Sequence, residues 1–108
     1  MKVSFKISLF LLLVIGGSHL FAQTKDAKIK KCEGVATPFK EKIDQNHIYS
    51  YIAHLAYIDC LIQEFPEYKQ QYIDTQILPN LRVIKQWGTL SDMPADSKEL
   101  LKKYWELK

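Results

Sequence analysis

The middle of the chain carries apolar residues spaced three and four positions apart, and this pattern constrains the fold more than any other feature. The stripe consists of Ile48, Tyr51, Ile52, Leu55, Ile58, Ile62 and Phe65. Such spacing predicts a helix over about residues 47–64, with Asp44 or Asn46 as its N-terminal cap. The other faces of this segment are also largely apolar or aromatic, so neighbouring elements should cover the helix on most sides. We therefore expect it at the centre of a bundle.

Two further segments on the C-terminal side also have helical spacing. Apolar residues from Tyr68 to Trp87 keep one phase past Pro79, which predicts a single helix kinked at that proline. Gly88 is a natural C-terminal stop for this helix. A last helix is predicted over about residues 97–107, where leucines and aromatic residues again follow helical steps.

Capping signals indicate where other helices begin. Thr37 followed by Pro38 predicts the start of a short helix. Asp96 with Glu99 three residues later is typical of a capping box, and Ser97 is the alternative cap. No stretch of useful length alternates in the way typical of strands. The sequence therefore predicts an all-α fold, a small three- to four-helix bundle.

The N-terminus has the pattern of a secretory signal peptide. Lys2 and Lys6 accompany an apolar run over residues 7–15, and Ala22 is the small residue expected before a cleavage site. The run is too short to span a membrane, which takes about 20 apolar residues. We expect residues 1–22 to be removed, and the mature chain, which has no transmembrane segment, to be periplasmic or secreted.

The predicted mature chain has almost no net charge. The whole sequence carries 15 basic and 12 acidic residues, and two of the lysines belong to the leader. The dense positive charge typical of nucleic-acid binding is therefore absent. Residues 23–37 are polar and predict a flexible N-terminal segment, followed by a helical domain over residues 38–108.

Both cysteines, Cys32 and Cys60, lie in the predicted mature chain. An even number of cysteines in an oxidising compartment predicts one disulfide. A straight helix over residues 39–60 would be about 30 Å long, whereas the seven residues back to Cys32 extend at most about 25 Å. The bridge therefore requires the chain to bend between Lys40 and Ile48. A buried thiol at Cys60 and a bridge to another chain through Cys32 are the alternatives.

The sequence lacks the common catalytic and cofactor motifs. It contains no nucleophile elbow, zinc-protease motif, Cys-x-x-Cys pair or glycine-rich phosphate loop. His47 and His54 should lie about 10 Å apart along the central helix, which is too far for both to bind one ion directly. We expect no cofactor, no metal site and no enzymatic activity.

Five residues are candidates for binding, namely Tyr49, His54, Tyr57, Asp59 and Tyr68. Asp59 falls within the apolar stripe, where a carboxylate needs a partner such as Arg82, Lys85, a tyrosine hydroxyl or a tryptophan N–H. The functional alternative is a specificity contact on a surface that the stripe presents. Tyrosines occur on several faces of the central helix and cannot all be interior. Because tyrosine is favoured at protein contact surfaces, some of them are candidates for a docking face.

These features favour a non-catalytic exported protein that binds a protein partner in the bacterial cell envelope, of the inhibitor, immunity or accessory type. This hypothesis predicts an exposed aromatic patch bordered by charge. The alternative is a small apolar ligand or a metal bound between helices, with Asp59 or His54 in the wall of the cavity.

Overall fold

The computed structural model describes residues 24–107 of the chain. The predicted leader, residues 1–22, lies outside them. Backbone proximity divides the chain into Met1–Lys30 and Lys31–Lys108. The described part of the first unit, residues 24–30, is helical. The second unit, described as far as residue 107, consists of helices joined by turns and loops, with no strand among these residues. This confirms the predicted all-α class. No helix within residues 24–107 is long and apolar enough to cross a membrane.

The central helix, α2, covers Ile48–Glu64 and confirms the strongest prediction from the sequence. Eleven of its 17 residues are buried, and they occupy most of its circumference. The Asn46 side-chain oxygen accepts a hydrogen bond from the backbone N–H of Ile48 at 3.1 Å, so Asn46 supplies the predicted cap. The helix is buried on most sides because its apolar residues are not confined to one stripe.

The first helix, α1, covers residues 24–40. The sequence predicted a flexible polar segment over residues 23–37, whereas residues 24–37 are helical. Cys32 and Ala36 are buried and Phe39 is half-buried, so residues spaced three and four apart form a face that packs within the second unit. This apolar face contains few residues, and the rest of the segment is polar. A prediction based on composition therefore did not detect the helix.

The helix predicted to start at Pro38 does not form as a separate element. Thr37 donates its hydroxyl to the carbonyl of Glu33 at 3.1 Å instead of capping a new helix. Pro38 lies near the end of α1, and the carbonyl that its missing N–H would have bonded belongs to Gly34. A proline so close to the last turn interrupts few helical hydrogen bonds, so α1 continues to residue 40.

A turn over residues 41–45 reverses the chain between α1 and α2, as the predicted bridge required. Cys32 and Cys60 form a disulfide with their Cα atoms 5.4 Å apart, which rules out both alternatives for these cysteines. Lys31 also pairs with Glu64 at 2.9 Å. The disulfide and this exposed ion pair join α1 to the C-terminal half of α2.

A nearly continuous helical run follows from Pro66 to Lys85. It consists of a 3₁₀ turn (Pro66–Tyr68), α3 (Lys69–Tyr72), a π-helical turn (Ile73–Ile77) and α4 (Leu78–Lys85). The predicted continuity past Pro79 is confirmed, and the local irregularity is the π turn just before it. The N–H of Leu78 bonds to the carbonyl of Ile73, five residues back. The wider turn shifts the hydrogen-bond register where proline has no N–H to offer.

The chain reaches its last helix, α5 (Lys98–Tyr104), through two 3₁₀ turns, Leu90–Asp92 and Ala95–Ser97. The capping box expected at Asp96 and Glu99 is wrong. The Asp96 carboxylate is taken by Lys42 and Tyr49 and is not free to cap. A capping box is found instead at the preceding 3₁₀ turn, between Thr89 and Asp92. Hydrogen bonds from Thr89, chiefly from its backbone N–H, lower the pKa of Asp92. Ser97 occupies the cap position, but its hydroxyl donates to the carbonyl of Pro94.

Replacing both cysteines, Cys32→Ala with Cys60→Ala, should lower the free energy of unfolding by about 3–4 kcal/mol. The bridge closes a loop with a sequence separation of 28 and so restricts the unfolded chain. Urea denaturation followed by circular dichroism measures the change. The wild-type chain in reductant is the control and should match the double variant. Equal midpoints for the oxidised wild type and the variant would contradict the structural role of the bridge.

The two glycines of the second unit should respond to alanine in opposite directions. Gly88 has a φ of 151°, and a Cβ there would lie 2.6 Å from Asp92 Oδ2, so Gly88→Ala should destabilise the fold and disturb the Thr89–Asp92 box. Gly34 lies inside α1, and a Cβ added there would meet no atom within 4 Å, so Gly34→Ala should stabilise by about 0.5–1 kcal/mol. Chemical denaturation of both variants tests the pair, and changes of the same sign would refute this assignment.

Candidate functional site

A surface groove of about 350 Å³ lies between α1 and α2. It is lined by Glu33, Lys40, Ile43, Ser50, Ala53, His54 and Tyr57. Two of the five residues proposed from the sequence, His54 and Tyr57, are therefore brought together here. All seven lining residues belong to the second unit. We call this feature the α1–α2 groove.

The helices supply the walls of the groove in a regular way. Ser50, His54 and Tyr57 follow steps of four and three on α2, so they lie along one strip of that helix. Glu33 and Lys40 are seven positions apart on α1, which places them on one side of that helix about 10 Å apart along its axis. Both walls therefore run in the direction of the helices for about two turns.

Small and apolar residues form the bottom of the groove. Ala53 is only 2 % exposed, and its side chain is a single methyl group, so the two helices leave space above it. Ile43, from the turn that joins the helices, is half-buried, as is Tyr57. The floor is thus able to pack against an apolar group, while the rim is polar.

His54 is oriented by a residue from the π-helical turn. Its Nε2 lies 2.9 Å from Oε1 of Gln76. A carbonyl oxygen at that position accepts a hydrogen bond from an Nε2–H, which leaves Nδ1 of a neutral imidazole as an acceptor. The π turn thus contributes to the groove through Gln76, a residue that sequence reasoning missed. Pro79 inside a helical run was the one available signal of an irregular turn nearby.

The two charged residues of the groove make no ion pair with any described residue. Two lysines close to them in the chain are paired, Lys31 with Glu64 and Lys42 with Asp96. The Glu33 carboxylate and the Lys40 ammonium group have neither a salt bridge nor a hydrogen bond within residues 24–107. The groove therefore presents one negative and one positive group on the same wall.

The hydroxyl of Ser50 is not aligned with His54. It donates to the carbonyl of His47, one helical turn earlier, at 3.0 Å. The partner of His54 is an amide rather than a carboxylate. These contacts suit a binding surface, because polar groups and an apolar floor lie side by side, whereas nucleophilic catalysis would need a base bonded to the hydroxyl.

Tyr49 and Tyr68, also proposed as contact residues, lie outside the groove. Tyr49 is only 8 % exposed, its ring stacks on Phe39 with centroids 6.4 Å apart, and its hydroxyl donates to Asp96 at 3.1 Å. Burial, and secondarily this hydrogen bond, raise the pKa of Tyr49. Tyr68 is 51 % exposed and meets the ring of Tyr72 edge-on. The structure thus separates the three tyrosines into a core position, a groove position and a surface position.

Asp59 is buried and has structural partners. Lys103 donates to its two carboxylate oxygens at 3.0 and 3.3 Å, Gln63 donates at 2.9 Å, and the Tyr104 hydroxyl donates to Oδ1. A tyrosine hydroxyl was one of the predicted partners, whereas neither Arg82 nor Lys85 fills this role. The cluster joins α2 to α5 and satisfies a carboxylate that would otherwise be costly to bury. Burial, followed by the bond to Asp59, raises the pKa of Tyr104.

Metal-binding geometry is not found in the described part of the chain. No group of three or more histidine, cysteine, aspartate or glutamate side chains within residues 24–107 is placed to hold an ion. Every buried side-chain nitrogen and oxygen of these residues has a hydrogen-bond partner. The groove, rather than a buried polar cluster, is therefore the candidate site.

Comparison with known proteins gives no match. No protein-family model, no curated protein and no solved structure resembles the chain closely enough to identify a relative. The arguments about the α1–α2 groove consequently depend on its own residues and on general physical chemistry.

Removing the Tyr104 hydroxyl should show how far the Asp59 cluster stabilises the fold. We expect Tyr104→Phe to lower the free energy of unfolding by about 1.5–3 kcal/mol, the usual value for a hydrogen bond to a charged group. Because the folded-state pKa of Tyr104 is raised, this contribution is complete below pH about 10 and is lost at higher pH, where the unfolded chain releases that proton first.

Urea denaturation between pH 7 and pH 11 measures both effects. Tyr72→Phe is the matched control, because the Tyr72 ring contacts Tyr68 and its hydroxyl has no hydrogen bond with a described residue. A Tyr104→Phe variant as stable as the control at pH 7 would show that Lys103 and Gln63 alone satisfy Asp59.

Proposed function

We propose that this chain is a small exported protein that binds a protein partner through the α1–α2 groove and does not catalyse a reaction. The observation that supports the proposal is the composition of the groove. A half-buried tyrosine and a fixed histidine lie beside an apolar floor, and a charge of each sign borders them. The sequence led us to expect an exposed aromatic patch bordered by charge, and the groove offers a smaller version of it, with Tyr57 as its one tyrosine.

A protein partner suits the chemistry of these residues. Tyr57 can offer a rigid ring and one polar atom at the same time, which is why tyrosine is common among the residues that dominate interface energies. The polar rim of Ser50, His54, Glu33 and Lys40 supplies hydrogen-bond donors and acceptors around an apolar centre. A hydrophobic centre with a polar rim is the usual composition of a protein interface.

Export to the periplasm or the medium is part of the same proposal. The leader pattern of residues 1–22 and the pairing of Cys32 with Cys60 point the same way, because disulfides persist in oxidising compartments. Inhibitors, immunity proteins and accessory subunits are the classes of small envelope protein that work by binding alone. The groove is consistent with any of these three.

A small apolar ligand is the second candidate occupant, and the size of the groove is the observation that favours it. A volume of about 350 Å³ falls within the range of about 300–1,000 Å³ found for small-molecule sites. His54 would then supply the polar contact that orients the ligand. The charges at the rim favour the protein partner, since an apolar ligand uses neither Glu33 nor Lys40.

Truncation of the aromatic wall tests the proposal directly. The mature chain is immobilised and used to retain material from an envelope extract of the producing organism, with quantitative mass spectrometry of both proteins and lipids in the eluate. Tyr57→Ala should reduce the retained partner about tenfold, as expected for a central interface residue. Unfolding curves establish that the variant is folded.

Tyr68→Ala is the matched control, because Tyr68 is the more exposed tyrosine and lies outside the groove. It should retain the same partner as the wild type. Equal retention by Tyr57→Ala and the wild type would argue against the groove as the binding site. Retention of a lipid in place of a protein, lost in Tyr57→Ala, would favour the second candidate.

A further inference from the structure

The charges of the α1–α2 groove are arranged along a single helix wall. Glu33 follows the disulfide-bonded Cys32 in the middle of α1, and Lys40 lies at the C-terminal end of this helix, next to the turn that leads to α2. Their neighbours Lys31 and Lys42 are held by Glu64 and Asp96, whereas neither Glu33 nor Lys40 contacts an opposite charge in the described part of the chain. These two side chains are therefore available to a partner, one at each end of the groove.

The spacing of these residues matches the repeat of a helix. Seven residues correspond to about two turns and about 10 Å of axial rise. Ser50 and Tyr57 on the opposite wall are also seven positions apart. A helix lying along the groove would place its own residues i and i+7 opposite Lys40 and Glu33. A residue halfway between them would face the floor at Ala53 and Ile43.

An extended segment fits this groove less well than a helix. Extended peptides gain much of their affinity from main-chain hydrogen bonds to an open strand edge. The walls here are helices, whose backbone groups are already bonded within α1 and α2. Side-chain packing along an apolar stripe is what two helix walls can offer, and an amphipathic helix uses that mode of binding.

We propose that the α1–α2 groove accepts an amphipathic helix of the partner that carries an acidic residue opposite Lys40, a basic residue opposite Glu33 and an apolar residue between them. The inference rests on the proposed function and adds the chemistry of the partner. The apolar residue provides area against Ala53, Ile43 and the Tyr57 ring. The two charges select the partner, since exposed ion pairs contribute more to discrimination than to affinity.

Binding of designed helical peptides to charge-reversed variants tests the proposal. Three helical peptides of equal length each carry two charged residues seven positions apart, with a leucine between them. The two charged residues are Glu and Lys in the first peptide, two Glu in the second and two Lys in the third. The wild type should prefer the mixed peptide, Glu33→Lys should prefer the peptide with two Glu, and Lys40→Glu should prefer the one with two Lys. Fluorescence anisotropy at low salt should show preferences of about two- to fivefold per matched charge. These preferences should shrink as salt is added.

Charge reversal outside the groove provides the matched controls. Glu67 and Lys69 are exposed, carry the same charges and do not line the groove. Glu67→Lys and Lys69→Glu should keep the peptide ranking of the wild type. If they shift the ranking as much as the groove variants do, recognition follows net charge alone and the proposal is wrong. Replacing the central leucine of the mixed peptide by serine should abolish its binding, and unchanged binding would also overturn the proposal.

The outcomes separate this inference from the proposed function. If no variant discriminates among the peptides while Tyr57→Ala still loses the native partner, the groove binds a partner of different chemistry and only the inference fails. If Tyr57→Ala retains the native partner, the proposed function fails as well.

Sedimentation of the chain without peptide completes the test. A dimer that both Glu33→Lys and Lys40→Glu dissociate would assign the groove to a second copy and overturn the inference.

Discussion

The burial of α2 is the constraint on which the rest of the structure depends. A helix that is apolar around most of its circumference must be covered from several directions, and each covering element is held to it by a specific contact. The Cys32–Cys60 bridge holds α1, a hydrogen bond from Asn80 to the carbonyl of Tyr51 holds α4, and the Asp59 cluster holds α5. In so small a domain these directional contacts matter, because a core of this size supplies little stability to spare.

The α1–α2 groove follows from the same arrangement. The neighbours of α2 leave a narrow strip of it accessible, where Ser50, His54 and Tyr57 lie between α1 and the π-helical turn. Space remains above this strip because Ala53 is small and because α1 presents charged rather than apolar residues to it. The proposed binding surface thus lies where packing around the central helix is incomplete. The disulfide and the Gln76 contact hold its two sides, so a partner would meet a largely preformed site.

The elements that the sequence predicted well are those whose signal is local and strong. The apolar spacing of residues 48–65 gave the position of α2, and the two cysteines with an intervening turn gave the bridge. The first helix was missed because its apolar face contains few residues, Cys32 and Ala36 among them, within a polar and lysine-rich segment. The Asp96–Glu99 capping box failed for a different reason. A tertiary contact with Lys42 and Tyr49 took the carboxylate that local chemistry would have used.

The sequence by itself determined the class of the fold, the central helix and the need for a partner at Asp59, because each follows from apolar periodicity or from the cost of burying a polar group. It predicted the disulfide but left two alternatives open, and the structure decided between them. Only the tertiary structure decided which tyrosines are buried, which lysine meets Asp59 and where the groove lies. Those outcomes depend on which helix faces meet, and the meeting of two faces joins residues as distant in the chain as Asp59 and Lys103 or His54 and Gln76. The spacing of residues along one helix shows which of its faces is apolar, but the packing of the whole domain decides which element covers that face.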